Sequence, residues 1–423
     1  MSWFSRLVTM TRLPTPNSIN IASPKFKANP FDFYKRLRAE SPIRRMPSLK
    51  GEPGWLVTRY DDVVTVLNDE RFIKNRLNAF SPQQSARELW FRKLKVFKSL
   101  ERNMLDLDPP DHTRLRALVS KAFTPGLIEQ LRERIQSLTD ELLDRVHDCG
   151  SMDLIRDYAL PLPTTIIAEM LGVPVEDRHK FHRWSNAMTR VSSTWGMVTA
   201  IPQALAFLRY IRKIVKLRRA NPQQDLVSGL ARVEEAGDTL TEDELVAMIF
   251  LLLVAGHETT VNLIGNGTLA LLEHPDQLVR LRHDPELIKP AVEELLRYTS
   301  PVEMATERYA REDLTIAGVT IPRGSVVFAV IASANRDEQH FVNPDALDIA
   351  REPNRHLSFG LGPHYCLGAP LARLEGRVAI NTLARRMPDL RLAVPQSALQ
   401  WRSGLVLRGL KSLPLTFGNS CIR

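Results

Sequence analysis

The stretch Phe359-Gly-Leu-Gly-Pro-His-Tyr-Cys-Leu-Gly368 sets His364 and Cys366 two positions apart among glycines. Cys366 could serve as a nucleophile, as a metal ligand, or as a small buried side chain with no chemistry. Glycines at 360 and 362 permit backbone conformations closed to other residues and let the chain come close to a ligand. After Gly368 the apolar residues Leu371, Leu374 and Val378 recur at three- and four-residue spacing, so a helix starts here. Cys366 then sits at a helix N-terminus, where free N–H groups and partial positive charge favour a thiolate. A lone His-x-Cys falls short of a zinc site, which needs further ligands. Cys149 and Cys421 are far away in sequence, so neither a disulfide framework nor a zinc spacing emerges. The final Cys-Ile-Arg is one residue short of a prenylation box.

Three further groups carry possible chemistry. In Ala255-Gly-His-Glu-Thr-Thr260 an acid and two hydroxyls interrupt an apolar run, and such groups need partners when buried. Gly256 weakens a helix by about 1 kcal/mol against Ala. It implies either a local opening of the helix beside a ligand or close packing of a second helix. Thr260 is expected to bond back to its own helix. Glu294 and Arg297 share one helix face, and an exposed pair of this kind contributes little. His112 and Arg116 also share a face and suit carboxylate groups.

These residues need a frame. Thr241 and Glu244 form a capping box, and the helix they open runs to Leu272, before His274-Pro275. It would span roughly 45 Å and, being apolar on every side in its middle, should be buried. Further helices are expected over about 114–146, with a break at Thr124-Pro125-Gly126, and over 164–171, 176–191 and 202–219. A strand pair is expected at Ile43–Met46 and Trp55–Tyr60, a hairpin at Leu314–Ile316 and Val319–Ile321 turning on Ala317-Gly318, and a buried strand at Ser325–Ile331. The fold class is mainly α with a minor β portion: an N-terminal arm over 1–24, then a single domain over 25–423.

At 423 residues, 44% hydrophobic and 25% charged, the composition is that of a globular protein. Ala247–Gly256, the longest apolar run, stops at His257-Glu258, short of the ~20 residues needed to cross a bilayer. No membrane span and a cytoplasmic location are expected. The net charge of +9 is moderate. Basic clusters at 92–98 and 209–219 alternate with apolar residues at helical spacing. They fit solvated helix faces or a docking face for an acidic protein better than a nucleic-acid site.

Taken whole, the string F-G-x-G-x-H-x-C-x-G resembles the haem-binding loop of bacterial cytochromes P-450, with every fixed position filled. Ala255–Thr260 is similar to the oxygen-groove motif of that family, Glu294–Arg297 to its Glu-x-x-Arg pair, and His112–Arg116 to its helix that meets the haem propionates. The likeness spans roughly residues 25–418 and is nearest to members acting on polyketides or fatty acyl chains. It implies a cytochrome P-450 fold with the long central helix over haem b, and the Cys366 thiolate as axial iron ligand. A thiolate ligand pushes electron density onto the iron and favours O–O cleavage. The resemblance further implies that Thr259 hydrogen-bonds bound dioxygen while Glu258 relays protons with water. It assigns Ala255, Gly256, Phe359 and Gly368 to the haem surroundings and His112, Arg116, Arg308 and His364 to the propionates. Glu294, Arg297 and Arg351 become a structural network that His356 joins. Substrate-contacting segments follow by position at 72–104, 181–207, Leu251–Ala255, Val302–Thr306 and Gly404–Val406, with Val302, Met304 and Ala305 as an apolar wall.

The activity so implied is monooxygenation of an apolar polyketide, fatty acyl or terpenoid substrate, by hydroxylation or epoxidation. No flavin- or NADPH-binding region is visible, so electrons are expected from a ferredoxin and an NAD(P)H-dependent ferredoxin reductase. Arg373 and Arg377 are expected to help dock the ferredoxin on a monomeric enzyme. A peroxide-driven or rearranging haem-thiolate enzyme, or a haem sensor without turnover, remains as an alternative. Glu258-Thr259 speaks against both, since neither needs a proton relay.

Overall fold

The computed structural model describes residues 19–49, 52–79, 103–177, 180, 184, 194–235 and 237–418. Helices dominate, as the periodicity implies. Near the N-terminus lie α1 (Pro24–Ala28) and α2 (Phe31–Glu40), and α3 (Asp111–Ala122) ends just before Thr124 caps the next helix by accepting from Leu127 N. The expected break in the 114–146 region therefore falls where Pro125 can occupy a first helical turn without losing a hydrogen bond. Then come α4 (Pro161–Met170), α5 (Thr194–Ala220), α6 (Glu242–Glu273), α7 (Ile288–Thr299) and α8 (Ala369–Arg386). The helix expected over 176–191 lies largely outside the described residues; Val175–Asp177, at its start, form a 3-10 turn.

The capping box of α6 is complete: Glu244 N donates to Thr241 Oγ1 at 3.3 Å and Thr241 N to Glu244 Oε2 at 3.0 Å. Its length and hydropathy would suffice to cross a membrane. Here it is a core element, packed against α4, α5, α7 and α8. The helix continues unbroken from Glu242 to Glu273, so no local opening occurs at Gly256. A Cβ at 256 would lie 2.7 Å from Ile167 Cδ1, so close approach of α4 is what the glycine serves.

The main sheet runs β1 (Ile43–Leu49), β2 (Glu52–Val57), β5 (Val326–Ala329), β4 (Arg308–Ala310), β3 (Phe72–Ile73), in that spatial order. All pairings are antiparallel except β5 with β2. Residues 58–60 turn into a helix instead of prolonging β2, and Ile331 begins another short helix. The 314–321 hairpin forms, with Ala317 and Gly318 at φ 46° and 79°. A small sheet joining Ser151–Asp153, Arg391–Leu392 and Pro414–Thr416 has no counterpart in the sequence pattern, because two- and three-residue strands carry no readable alternation.

Candidate active site

The loop before α8 is built by its own backbone. Cys366 N donates to Phe359 O at 2.9 Å, Gly360 N to Leu357 O at 2.8 Å and Tyr365 N to Gly362 O at 3.0 Å. Gly362 is required twice over: its φ is +69°, and a Cβ there would stand 2.5 Å from Asn68 Oδ1 and 3.0 Å from Leu67 O. The loop thereby presents Cys366 to a cavity of about 250 Å3.

One face of α6 forms the opposite wall, with Leu252, Ala255, Gly256, Thr259, Thr260 and Leu263 at helical spacing. The Thr259 hydroxyl donates to Ala255 O at 3.0 Å and that of Thr260 to Gly256 O at 3.4 Å. Glu258 is not on this face. Its carboxylate lies 3.4 Å from Arg402 Nη1, and burial raises its pKa against the pull of that guanidinium. Phe359, His364, Gly368 and Arg308 line the cavity with Cys366.

Val302, Ala305 and Thr306 add an apolar side. Met304, expected beside them, turns the other way and is fully buried with Tyr34 and Phe328. Glu303 also faces away from the cavity, buried and bonded to Lys27 Nζ at 2.8 Å and to the Tyr34 hydroxyl. Lys27 in turn donates to Leu405 O at 3.1 Å. Residues 404–406 therefore brace the wall from behind: Glu303 N and Met304 N both donate to Val406 O. The 72–104 segment lies largely outside the described residues, and of 181–207 the described part is residue 184 and the 194–207 stretch of α5.

The thiol of Cys366 is pushed up by burial, while the backbone N–H of Gly368, then Arg116 and Arg373, pull it down. In the protein alone desolvation outweighs the helix terminus. A coordinated metal removes that penalty, because a coordinating thiol is deprotonated outright.

At the end of the cavity occupied by Arg308 and His364, several basic groups gather, with Asp108 as the acidic neighbour of Arg308 and His112. The His112 ring lies 4.2 Å from that of His364 at a tilt of 44°, and His112 Nδ1, His112 Nε2 and Arg308 Nε are buried without partners. Burial lowers Arg308 to about 10 and, with Arg308, His112, Lys74 and Arg116 nearby, His364 to about 2. Arg116 donates to Tyr365 O at 2.7 Å, tying α3 to the cysteine loop. Buried polar atoms are almost always satisfied, so these nitrogens leave room for polar atoms of a bound group.

Glu294 and Arg297 are both 0% exposed. All five guanidinium donors are used: on Glu294 at 2.7 and 2.9 Å, and on the carbonyls of Asn335, Pro344 and Ala346. Arg351 Nε meets the same carboxylate at 3.0 Å. Asn335 passes the restraint on, since its side chain accepts from Leu357 N and donates to Ser358 Oγ, immediately before Phe359. His356 belongs to a neighbouring cluster instead, 3.1 Å from Glu293. Glu293 also binds Arg373 at 2.8 Å and lies 3.7 Å from Arg377. The two arginines expected to face a redox partner thus have their charge met inside the protein. Arg373 additionally covers the Phe359 ring at 4.4 Å. In the 209–219 cluster, Arg218 pairs with Asp225 and Arg212 lies 3.6 Å from Asp243, whereas Arg209, Lys213 and Lys216 are exposed.

Glu375 was not anticipated. It lines the cavity from α8 at 1% exposure, in hydrogen-bond contact with Thr260, and burial raises its pKa to about 8. An acid placed on the apolar Leu371-Leu374-Val378 face was the available signal.

Residues 37–387 match the family model described as Cytochrome P450. The chain is 47% identical over 399 residues to the polyketide biosynthesis cytochrome P450 PksS of Bacillus subtilis, covering 93% of this chain and 96% of that protein. The PksS structure superposes with a TM-score of 0.88, covering 95% of this chain and all (100%) of that one. A myxobacterial cytochrome P450, CYP267B1, in complex with myristic acid gives 0.87 at 44% identity, covering 94% and 99%. P450BioI in complex with an acyl carrier protein bearing hexadec-9Z-enoic acid gives 0.84 at 42% identity, covering 93% and 100%.

Proposed function

The chain belongs to the cytochrome P450 family and is a monooxygenase of that family, and we propose that it oxidises a fatty acyl or polyketide chain using haem b held by Cys366. One observation carries this reading. A cysteine on a glycine-turned loop, a threonine on a continuous buried helix and a basic end with unpartnered nitrogens all converge on one cavity. The residues fit the cofactor. Cys366 would supply the axial ligand, Gly256 and Ala255 would face one side of the macrocycle, and His112, Arg116, Arg308 and His364 would meet its carboxylates. When bound, haem supplies the dioxygen chemistry, and its thiolate ligand favours O–O cleavage.

The chain's own task is positioning and proton supply. Thr259 keeps a hydroxyl on the cavity face, and its bond to Ala255 O leaves the oxygen free to accept. Glu258 stands one residue away, turned to Arg402, so proton delivery by Glu258 requires that carboxylate to swing from Arg402 toward the cavity. Val302, Ala305, Leu252 and Leu263 give the substrate side an apolar lining. Relatives named for polyketide biosynthesis or solved with fatty acids support the substrate class. A cytoplasmic enzyme fed by a ferredoxin and its reductase accords with this reading.

Reconstitution with a ferredoxin, its reductase, NAD(P)H and O2 should oxidise a C14–C18 fatty acid or thioester at a rate strictly dependent on both NAD(P)H and O2. Full activity with hydrogen peroxide alone would favour the peroxide-driven alternative. In the same system Thr259→Ala should retain haem and substrate binding yet release most reducing equivalents as peroxide. The expected drop in product per NAD(P)H is on the order of 100-fold, the lower end of what a positioned proton-transfer group contributes. Unchanged coupling would remove Thr259 from the relay.

A further inference from the structure

Lys74 directly follows β3, and its side chain turns inward to 7% exposure. Its ammonium donates to Thr306 Oγ1 at 2.6 Å and to Glu307 O at 2.8 Å, both neutral acceptors. Asp108, the carboxylate in contact with this segment, accepts instead from the backbone N–H groups of Lys74 and Asn75, at 2.7 and 2.9 Å. Burial, then neighbouring Arg308, lower the Lys74 pKa to about 8 against the smaller opposing pull of Asp106, Glu307 and Asp108, none of whose carboxylates hydrogen-bonds the ammonium. A buried ammonium with no carboxylate in direct hydrogen-bond contact is costly unless an anion completes its surroundings.

Thr306 shows where that anion belongs. A hydroxyl that accepts from an ammonium must give its own proton elsewhere. Thr306 lines the cavity beside Arg308 and His364, at the end where His112 and Arg308 have unpartnered nitrogens. We infer that Lys74 and Thr306 form a further carboxylate-binding arm of this cavity, with Lys74 supplying charge and Thr306 relaying it as an oriented O–H donor. The inference rests on the haem reading above. The carboxylate is either one of the cofactor's own or the head group of a fatty acid, and the two sources are separable.

The test uses the full-length haem-loaded protein as wild type, Lys74→Met and Thr306→Val. Haem transfer to an apoglobin scavenger, the midpoint potential, and the spin-state shift with tetradecanoic acid and its methyl ester are measured on each. If the arm holds a cofactor carboxylate, both variants lose haem faster, by roughly tenfold or more for a charge-assisted hydrogen bond. Lys74→Met also lowers the potential, because removing a nearby positive charge favours the ferric state. If it holds the substrate head group, haem loss is unchanged and the preference for acid over ester collapses about tenfold. Equality of all three proteins in every measurement overturns the proposal and leaves Lys74 as an internal strut. Thr306→Val keeps the Lys74–Glu307 bond, so it separates loss of the arm from misfolding. A failure of the thiolate reading would instead be visible in the wild-type spectrum, before any variant is made.

Discussion

Cys366→Ser should abolish the red-shifted Soret band of the reduced carbon-monoxide complex and all NAD(P)H-dependent product formation. The rest of the loop survives the change: Cys366 N keeps its bond to Phe359 O, and Arg116 still holds Tyr365 O. What is lost is the ionisable sulfur. A thiol has an ordinary pKa near 8.5 and is easily ionised by a metal, whereas a serine hydroxyl keeps its proton under the same conditions. The cationic end does not depend on residue 366, so the variant should still take up haem. That separation makes the experiment decisive, because a variant containing haem with an unshifted band identifies the lost ligand. Persistence of the red-shifted band would refute ligation by Cys366.

Much of this site was legible because its signals are local. The capping box of α6, the Ala317-Gly318 hairpin and the glycine-rich loop each specify their geometry within ten residues, and each formed where expected. Relations that depend on packing between distant segments were not legible. Met304 misleads because the segment 301–306 does not alternate like a strand. Its backbone bonds go to Val406 and Ala329 on different elements, which turns Glu303 and Met304 together away from the cavity. Lys27 and Glu303 are 276 residues apart, and nothing in either segment announces the other. Arg373 and Arg377 looked like surface charge because the sequence does not show that Glu293 lies across from them. His356 was drawn toward Glu294 for the same reason, although the adjacent Glu293 faces it. Lys74 follows two apolar strand residues and carries no pattern at all. Only its contacts with Thr306 and Glu307 give it meaning.

Arg297→Ala should yield little or no haem-loaded protein, although Arg297 does not line the cavity. The substitution takes the two-point guanidinium contact from a Glu294 carboxylate at 0% exposure, leaving it Arg351, Asp348 N and Asn354, and removes the guanidinium donor from the carbonyls of Asn335 and Pro344. Breaking a buried pair on one side costs about 3–5 kcal/mol, a large share of the 5–15 kcal/mol that ordinarily separates folded from unfolded protein. Arg351 cannot replace it, because its own donors already serve Glu294 and the carbonyls of Val342, Asn343 and Ala346. Arg297→Lys should be almost as poor, since one ammonium cannot reproduce a planar fork that reaches a carboxylate and three carbonyls at once. The damage is directional. Asn335 O loses its guanidinium donor, and the Asn335 side chain is what fixes Leu357 and Ser358, so disorder should propagate to the cysteine loop first. Hydrogen exchange on any recoverable protein should therefore show deprotection of residues 357–366 before that of α6. Normal haem yield from Arg297→Ala, or equal protection of that loop in variant and wild type, would show that the Glu294–Arg297 pair does not hold the ligand loop.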